Sequence, residues 1–368
     1  MEILTGLFEF LTQENKMVNI PLIQPLIDAL LGIPLVKYIV ALILWKPLFA
    51  ILLVPGFAGM MTAVVLIIWF ERKLTARIQW RIGPLEVSRP IWGIMQPMAD
   101  GIRYFFQEVI VHKDAHKLYF IQLPILAFLP ALIPLLVIPG SETIYGIRTI
   151  YAIPIILAVI ALIPMTIVAM GWAANSRFAY IGSVREAFMY FGYEIPFIIA
   201  VLAMVLMYGS ADPVEIVKSQ TIPYIGMVLN PFALITFLLV IAMATSRLPF
   251  EIPEADQEIA FGPFVEYSGI LFGLVMTLAY EKMYIMCLLF TTLFLGGWNG
   301  PNIPLLEDLS GPIWLYVKTV VLMMMIVFLR SVYPRFRLDQ AIRIGWTRVM
   351  SISLVSFAFA LVVKLWSG

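Results

Sequence analysis

The amino-acid sequence predicts an all-α, polytopic integral membrane protein. Of its 368 residues, 62% are hydrophobic and only 13% are charged, whereas soluble globular chains carry about 25% charged residues. Apolar stretches of about 20 residues, the length that a helix needs to cross a bilayer, recur along the whole chain. These stretches are continuous, so they do not match the alternating strands of a membrane β-barrel.

Eight transmembrane spans are predicted, and we expect them to form one helical domain over residues 47–368. Their approximate bounds are 48–70, 118–138, 151–173, 186–207, 227–245, 265–295, 313–332 and 345–366. The sixth span would reach roughly 46 Å as one helix, against a hydrocarbon core of about 30 Å. We therefore expect the sixth span to tilt strongly, to protrude or to break.

Residues 1–46 are predicted to form a separate N-terminal extension. Its first segment, MEILTGLFEFLTQENK, has the spacing of a short helix that lies on the bilayer surface. The apolar face of that helix contains Ile3, Leu4, Leu7, Phe8 and Leu11. Residues 20–46 are apolar but are interrupted by prolines, an aspartate and a glycine. They form either an extra span or a hairpin that enters the membrane.

The basic residues predict which segments face the cytoplasm. Sixteen lysines and arginines lie in segments 71–117, 173–185, 246–264 and 330–348, whereas the opposite loops contain only Arg148 and Lys218. Loops rich in lysine and arginine remain in the cytoplasm. We therefore expect a multi-pass protein of the cell membrane in which these four segments are cytoplasmic.

The segment WGIMQPMADGIRYFFQEVI, residues 92–110, has apolar residues at helical spacing with polar residues between them. This pattern predicts an amphipathic helix along the membrane surface. The helix is either a simple connector or the wall of a cavity at the interface.

The connector 246–264 differs from the other three cytoplasmic segments because it is acidic. The stretch LPFEIPEADQEIAFGPFVEYSG contains Glu251, Glu254, Asp256 and Glu258, and Glu266 begins the next apolar run. On a helix, Glu251, Glu254 and Glu258 would share one face, where like charges repel. Such a cluster requires basic partners or shared protons. The candidate partners on the same side include Arg185, Arg247, Arg335, Arg72, Arg77 and Arg81.

Ionisable residues also occur inside the predicted spans, namely Glu194, Glu281, Lys282 and Lys318. A charge within a span is a functional hypothesis by default, although each one can also pair with a single charge on a neighbouring helix. Carboxylates in such surroundings can bind and release protons near neutral pH. Glu281 and Lys282 point about 100° apart on a helix, so they are not expected to pair with each other.

The chain is expected to hold no redox centre and no metal of its own. It has one cysteine, Cys287, whereas an iron–sulfur cluster needs about four. Its two histidines, His112 and His116, share one polar loop outside the spans, so histidine ligation of a haem between membrane helices is excluded.

Seven segments make the sequence resemble the membrane-arm heel subunit of complex I, which is the H-type subunit in bacteria and subunit 1 in the mitochondrial counterpart. They follow the family order over residues 48–366: FERKLTARIQWRIGP, MQPMADGIRYFFQE, GWAANSRFAYIGSVRE, YE, RLPFEIPEADQEIAFGPFVEYSG, FLGGWNGP and LRSVYPRFRLDQAIRIGW. The resemblance implies a membrane anchor and coupling subunit of an ion-translocating oxidoreductase. Such a subunit links electron transfer in an iron–sulfur peripheral arm to ion pumping in antiporter-like subunits, and binds no cofactor itself.

The resemblance also assigns candidate residues. The proton or coupling path would contain Glu194, Glu251, Glu254, Asp256, Glu258 and Glu266, with Arg185, Arg247 and Arg335 as basic partners. The surface helix and the wall of a quinone cavity would contain Arg72, Arg77, Arg81, Gln96, Asp100 and Arg103. No residue is assigned a catalytic role.

The chain departs from the family pattern near these positions. Met189 and Gly192 replace a glutamine and a serine, and Pro263 and Phe264 follow Gly262 where Tyr or Phe and then His or Asn are common. The superfamily includes membrane-bound NiFe hydrogenases and sulfane-sulfur reductases, which take electrons from ferredoxin and need no quinone. The electron acceptor and the pumped ion therefore stay open.

Two other classes of function fit the sequence less well. A stand-alone secondary transporter is disfavoured because no inverted repeat or matching pair of broken helices is visible. A purely structural anchor has no need for Glu194 inside a span.

We expect the chain to co-purify with peripheral-arm iron–sulfur and NiFe-hydrogenase-like subunits, small membrane subunits, antiporter-like subunits and lipid, without nucleic acid. The check is affinity purification in mild detergent, followed by mass spectrometry and iron analysis. A chain that elutes alone would support the transporter.

Overall fold

The computed structural model describes residues 16–33, 36–220, 225–304 and 306–367. Within these ranges the chain is helical, and its one β-type contact is a bridge between Met17 and Trp45. Seven of the described helical segments are long and apolar enough to cross a membrane, and a shorter apolar helix accompanies them. The prediction of an all-α, polytopic membrane protein is confirmed. The residues of the predicted N-terminal surface helix, 3–11, lie outside the described ranges.

Sixteen α-helices are described. Their bounds are α1 Gln24–Leu31, α2 Val36–Leu44, α3 Lys46–Leu52, α4 Phe57–Ile78, α5 Gln96–Phe106, α6 Lys117–Val137, α7 Ala152–Ala174, α8 Arg177–Tyr208, α9 Pro213–Ser219, α10 Gly226–Leu229, α11 Pro231–Ala244, α12 Asp256–Ile259, α13 Gly269–Phe294, α14 Ser310–Val332, α15 Leu338–Arg343 and α16 Met350–Ser367. A π-helical turn, Ile344–Val349, joins α15 to α16.

Helix α13 forms the centre of the bundle. Every side chain from Tyr280 to Phe294 is buried, and the helix packs against α4, α5, α6, α11 and α14. The chain then wraps around it, with α6, α7 and α8 packed in sequence and α16 placed against α8 and α11. A central helix that is apolar on nearly all sides is typical of a helix buried in a large bundle.

The first predicted span, 48–70, lies within the apolar segment Lys46–Ile78, which is long enough to cross a membrane but is interrupted. Helix α3 ends at Leu52 and α4 begins at Phe57. Pro55 lacks a backbone N–H, and a Cβ at Gly56 would collide with the backbone of Ile51. The hydroxyl of Tyr284 donates to the carbonyl of Pro55 at 2.8 Å and holds this break against α13.

Two other boundaries change which residues are helical. Helix α4 continues to Ile78, so Arg72 and Arg77 lie on its last turns and not in a loop. Helix α8 begins at Arg177 and not at residue 186, because Ser176 caps it by accepting a hydrogen bond from the backbone N–H of Ala179. Arg185 is therefore also a helical residue.

The sixth and fifth spans are both shorter than predicted. Helix α13 is one unbroken helix of 26 residues, about 39 Å long, which exceeds a hydrocarbon core of about 30 Å and requires tilt or protrusion. Helix α11 has only 14 residues, about 21 Å, so it crosses less than the full core.

The N-terminal segment forms two short helices instead of a span. Helices α1 and α2 have 8 and 9 residues, about 12 and 14 Å, so neither can cross the core. They pack against each other, which favours the hairpin over the extra span. A small apolar cluster of Val18, Ile20, Ile27, Leu44 and Phe49 attaches this segment to Ile144.

Lys318 of α14 organises the turn that follows α13. Its ammonium donates to the carbonyl oxygens of Leu295 at 2.8 Å, Gly297 at 2.9 Å and Asn299 at 2.6 Å. All three ammonium donors are thereby used. Among the described residues, this span lysine pairs with backbone carbonyls and not with a carboxylate.

Replacing Lys318 with Met is expected to destabilise the fold, because three carbonyls lose a charged donor. The loss in free energy of unfolding should be about 2–4 kcal/mol, given roughly 1.5–3 kcal/mol for each such hydrogen bond and partial replacement by water. Thermal melts of the purified protein measure it. The exposed Lys117 provides the matched control, Lys117→Met, and equal melting temperatures for both variants would contradict this role.

Candidate functional site

The acidic loop, defined as residues 245–268, connects α11 to α13. Only Asp256–Ile259 is α-helical in it, so the predicted shared helical face of Glu251, Glu254 and Glu258 is wrong. Pro249 and Pro253 cannot donate the backbone hydrogen bonds that a helix through this stretch would need. The carboxylates consequently point in different directions and meet different partners.

The base of the acidic loop is held by an ion ladder, defined as Glu71, Arg330, Glu251 and Arg335. Arg330 of α14 contacts Glu71 of α4 through one nitrogen, and its other terminal nitrogen lies 2.8 Å from Glu251. Arg335 lies 3.3 Å from the second oxygen of Glu251. All four side chains are largely buried, and charge-assisted hydrogen bonds of this kind are the stronger class.

Arg247 extends the ion ladder toward the bundle centre. Its guanidinium lies 3.6 Å from Glu71 and 4.1 Å above the ring of Tyr280. The hydroxyl of Tyr280 donates to the same Glu71 carboxylate at 3.1 Å. The structure therefore pairs Arg247 with Glu71 of α4, a carboxylate that was not among the predicted site residues.

The outer part of the acidic loop rests on α8. Arg185 lies 2.5 Å from Glu258, which is 52% exposed. Gly182 permits close contact with the turn at Pro263, because a Cβ at Gly182 would lie 2.5 Å from the Pro263 ring. Asp256 and Glu266 form no ion pair with a described residue, so these two candidates are not joined to the ladder.

A buried chamber lies between α8, α13 and the acidic loop. Lys282 of α13 donates to the hydroxyl of Tyr193 at 3.0 Å and is only 2% exposed. A small cavity of about 10 Å³ beside it, with room for about one water molecule, is lined by Glu186, Glu254 and Ser246. We use "buried chamber" for the set Glu186, Tyr193, Glu194, Ser246, Glu254 and Lys282.

Helical spacing explains how α8 contributes to the buried chamber. Glu186 and Tyr193 are seven residues apart, which places them on one face and about 10 Å apart along the helix. Glu194 follows Tyr193, and neither of its buried carboxylate oxygens has a hydrogen-bond partner among the described residues. An unpaired buried carboxylate is costly, so its presence requires compensation by nearby charge.

Glu281, the neighbour of Lys282, lies outside the buried chamber. It is fully buried, and neither of its oxygens has a hydrogen-bond partner in the described part of the chain. It points about 100° away from Lys282 around α13, which agrees with the expectation that the two do not pair.

Two carboxyl groups of the acidic loop have pKa values above the ordinary value for glutamate. Burial raises the pKa of Glu254 to about 7, against the opposing effect of Arg247. Burial also raises the pKa of Glu251, and the hydrogen bond from Arg335 opposes this shift. Glu254 therefore changes its charge near neutral pH at the entrance to the buried chamber.

The predicted surface helix is real but shorter, as α5 covers Gln96–Phe106. It packs against α4 and α13. Asp100 joins Arg72 at 2.5 Å and accepts a hydrogen bond from Gln96 at 3.1 Å. Arg103 lies 5.4 Å from the ring of Tyr104.

The remaining candidates near α5 do not join this group. Arg77 is exposed, and Arg81 donates to the neighbouring Gln79 at 2.8 Å. Large apolar side chains are exposed next to these arginines in the chain, at Trp80 and Ile82, and at the end of α5, at Phe105 and Phe106.

Sequence reasoning missed several members of the site. Glu71 and Arg330 were placed at the edges of loops, where burial is not expected. Glu186 was visible as a carboxylate eight residues before Glu194, which puts both on neighbouring faces of one helix. Tyr193 belongs to the YE segment of the resemblance but was assigned no role. Its contact with Lys282 had no sequence signal, because the two residues are 89 positions apart.

Glu254→Gln is expected to flatten the pH dependence of stability. The folded-state pKa of about 7 lies above the ordinary value of 4.5, so between these values the folded chain holds a proton that the unfolded chain releases. Stability contributed by this carboxyl is present below pH 4.5 and lost as pH rises to 7. The variant should be more stable than wild type above pH 7 and less pH-dependent below it.

Thermal melts across this range provide the measurement. Glu86, which is 76% exposed, provides the control variant Glu86→Gln, whose profile should follow wild type. Parallel profiles for Glu254→Gln and wild type would refute the shifted titration.

Within the described ranges, no three His, Cys, Asp or Glu side chains stand close enough together to hold a metal ion.

The family model that matches this chain and its most similar relatives point to the same family. The family model for NADH dehydrogenase matches residues 50–361. The H-type subunit of NADH-quinone oxidoreductase from Dehalococcoides mccartyi is 33% identical over 300 residues, which cover 82% of each chain. NADH-ubiquinone oxidoreductase chain 1 from Chondrus crispus is 37% identical, covering 80% of this chain and 90% of its own.

A third relative extends the match. The H-type subunit of NADH-quinone oxidoreductase from Geobacillus kaustophilus is 33% identical over 320 residues, covering 84% of this chain and 94% of its own. The chain therefore belongs to the NADH dehydrogenase family that includes the H-type subunit and chain 1 of these oxidoreductases.

Proposed function

We propose that this chain is the membrane anchor and coupling subunit of a complex I-like, ion-translocating oxidoreductase. It links electron transfer in an iron–sulfur peripheral arm to ion pumping in antiporter-like membrane subunits. Family membership supports the assignment to an oxidoreductase complex. The end of the bundle that contains the acidic loop faces the cytoplasm, since the basic segments lie there.

The observation that carries the proposal is the continuity between the acidic loop and the bundle interior. Glu254 of the loop and Glu186 and Lys282 of the helices line one cavity. A change in the position or charge of the loop therefore acts directly on ionisable groups inside the membrane. A simple anchor has no use for such groups, which are costly within the bilayer.

The coupling step follows from the different strengths of the contacts. The ion ladder contains arginines, which stay charged, and it fixes the base of the loop to α4 and α14. The outer contact between Arg185 and Glu258 is partly exposed, and such pairs contribute little stability. A redox-linked change at the partner interface would therefore move the outer loop first and alter the field at Glu254.

The electron acceptor is either a quinone or a substrate bound in the peripheral arm. The group formed by Arg72, Gln96 and Asp100 lies beside the exposed apolar side chains of α5, which fits the mouth of a quinone cavity. Met189 and Phe264 are buried apolar side chains at positions where the family pattern has a polar residue, which favours the alternative of a ferredoxin-dependent hydrogenase or sulfur reductase without a quinone site.

Glu194→Gln is expected to abolish or strongly reduce ion pumping while the complex still assembles. A positioned proton-transfer group contributes roughly 100-fold or more to rate, and Gln cannot exchange a proton.

Glu258→Gln is expected to uncouple pumping because the contact with Arg185 is weakened. Sealed membrane vesicles with a pH-sensitive dye report pumping, and detergent-solubilised complex reports electron transfer.

The control is Glu215→Gln, because Glu215 lies at the opposite end of the bundle near Arg148. It should pump as wild type does. Normal pumping in both Glu194→Gln and Glu258→Gln would exclude the proposed coupling role.

A further inference from the structure

A cavity of about 350 Å³ lies at the cytoplasmic end of α16, outside the proposed coupling path. Small-molecule sites in proteins typically have volumes of about 300–1,000 Å³. None of the described lining residues is acidic, so the two arginines among them give the cavity an uncompensated positive charge. The lining residues are Phe336, Gln340, Arg343, Ile344, Thr347 and Arg348.

The π-helical turn Ile344–Val349 explains why both arginines line one cavity. Arg343 and Arg348 are five positions apart, and in an α-helix they would point about 140° away from each other. A π-helix has i→i+5 hydrogen bonds instead, so residues five apart lie on nearly the same side. Gly345 lets this turn pack on α8, because a Cβ there would lie 2.5 Å from the carbonyl oxygen of Gly192.

The hydrogen-bond donors of this cavity are available to a ligand. Arg343 and Arg348 are exposed, and neither forms an ion pair or a side-chain hydrogen bond with a described residue. The side-chain carbonyl of Gln340 accepts a hydrogen bond from the backbone N–H of Arg337 at 3.2 Å, which leaves its amide group to donate. Guanidinium groups bind phosphate through paired, charge-assisted hydrogen bonds. The cavity is therefore suited to a phosphate group.

An apolar stripe runs along the exposed side of α16, directly below the cavity. Its members follow Thr347 at successive intervals of seven, four, three and four residues, which is the spacing of one helix face. They are Leu354, Ala358, Leu361 and Leu365. Exposed apolar surface of this kind marks contact with a membrane or a partner. A ligand with a phosphate group in the cavity and hydrocarbon chains along the stripe would match both surfaces.

We propose that this cavity binds an anionic phospholipid, with its phosphate between Arg343 and Arg348 and its acyl chains along the stripe. Basic pockets beside membrane helices on the cytoplasmic side are a common form of lipid recognition. A free phosphate ion would contact the arginines but would gain nothing from the stripe. Lipid binding at this site does not depend on the proposed coupling function.

Phe336 connects the lipid site to the acidic loop. It lines the cavity, and its ring packs on Phe250 with centroids 5.5 Å apart. Its backbone N–H also donates to the carbonyl of Pro249 at 2.9 Å. On its other side Phe336 lines a second cavity, together with Arg185 and Glu258. A lipid in the first cavity therefore covers one side of a residue that supports the loop.

The test uses the complete complex in mild detergent and a phosphatidylglycerol with a photoreactive diazirine on one acyl chain. After illumination, peptide mass spectrometry is expected to find the label on α16. Arg343→Gln and Arg348→Gln should each lower this labelling about five-fold, because each loses one basic contact to the head group. The control Arg177→Gln removes an exposed arginine at the start of α8 and should keep wild-type labelling. Equal labelling in all four proteins, or no label on α16, overturns the proposal.

Competition experiments on the wild-type complex need no variant. An excess of unlabelled phosphatidylglycerol should remove most of the label from α16. Phosphatidylcholine, whose head group has no net charge, should leave most of it. Equal competition by the two lipids means that the arginines do not select the head group, and it overturns the proposal. Inorganic phosphate that competes as well as phosphatidylglycerol identifies a site for a free anion and overturns the lipid assignment.

Discussion

The cost of charge inside an apolar helix bundle is the constraint on which this structure depends. Lys282 lies near the middle of α13, and its charge needs carboxylates nearby. Two of them come from α8 and the third, Glu254, comes from the acidic loop. The loop thereby reaches the centre of the bundle, since Glu254 and Lys282 line the same small cavity.

Two kinds of electrostatic contact divide the site into a fixed part and a responsive part. The ion ladder joins carboxylates to arginines at hydrogen-bond distance, and arginine does not lose its proton. Among the described residues the buried chamber has no direct ion pair, and the pKa of Glu254 at its entrance is about 7. A loop fixed at its base and titratable at its inner side can pass a change at the surface into the bundle.

The sequence predicted much of the site because chemistry and spacing are local properties. Hydropathy identified the helices, and the acidic character of residues 246–264 identified the loop. Two of the three proposed basic partners, Arg185 and Arg335, contact loop carboxylates. The shared helical face of the loop was wrong, because the periodicity argument assumed a helix that Pro249 and Pro253 prevent.

By itself, the sequence determined the membrane class, the approximate spans and the location of the acidic loop, since each depends on residues close together in the chain. Only the tertiary structure decided which charges meet. Arg247 pairs with Glu71 across 176 positions and Lys282 with Tyr193 across 89. A helix offers several faces, and a charge on any of them can find a partner. Packing of α13 against its neighbours selects one face for Lys282 and another for Glu281, and that selection separates a member of the buried chamber from a carboxylate outside it.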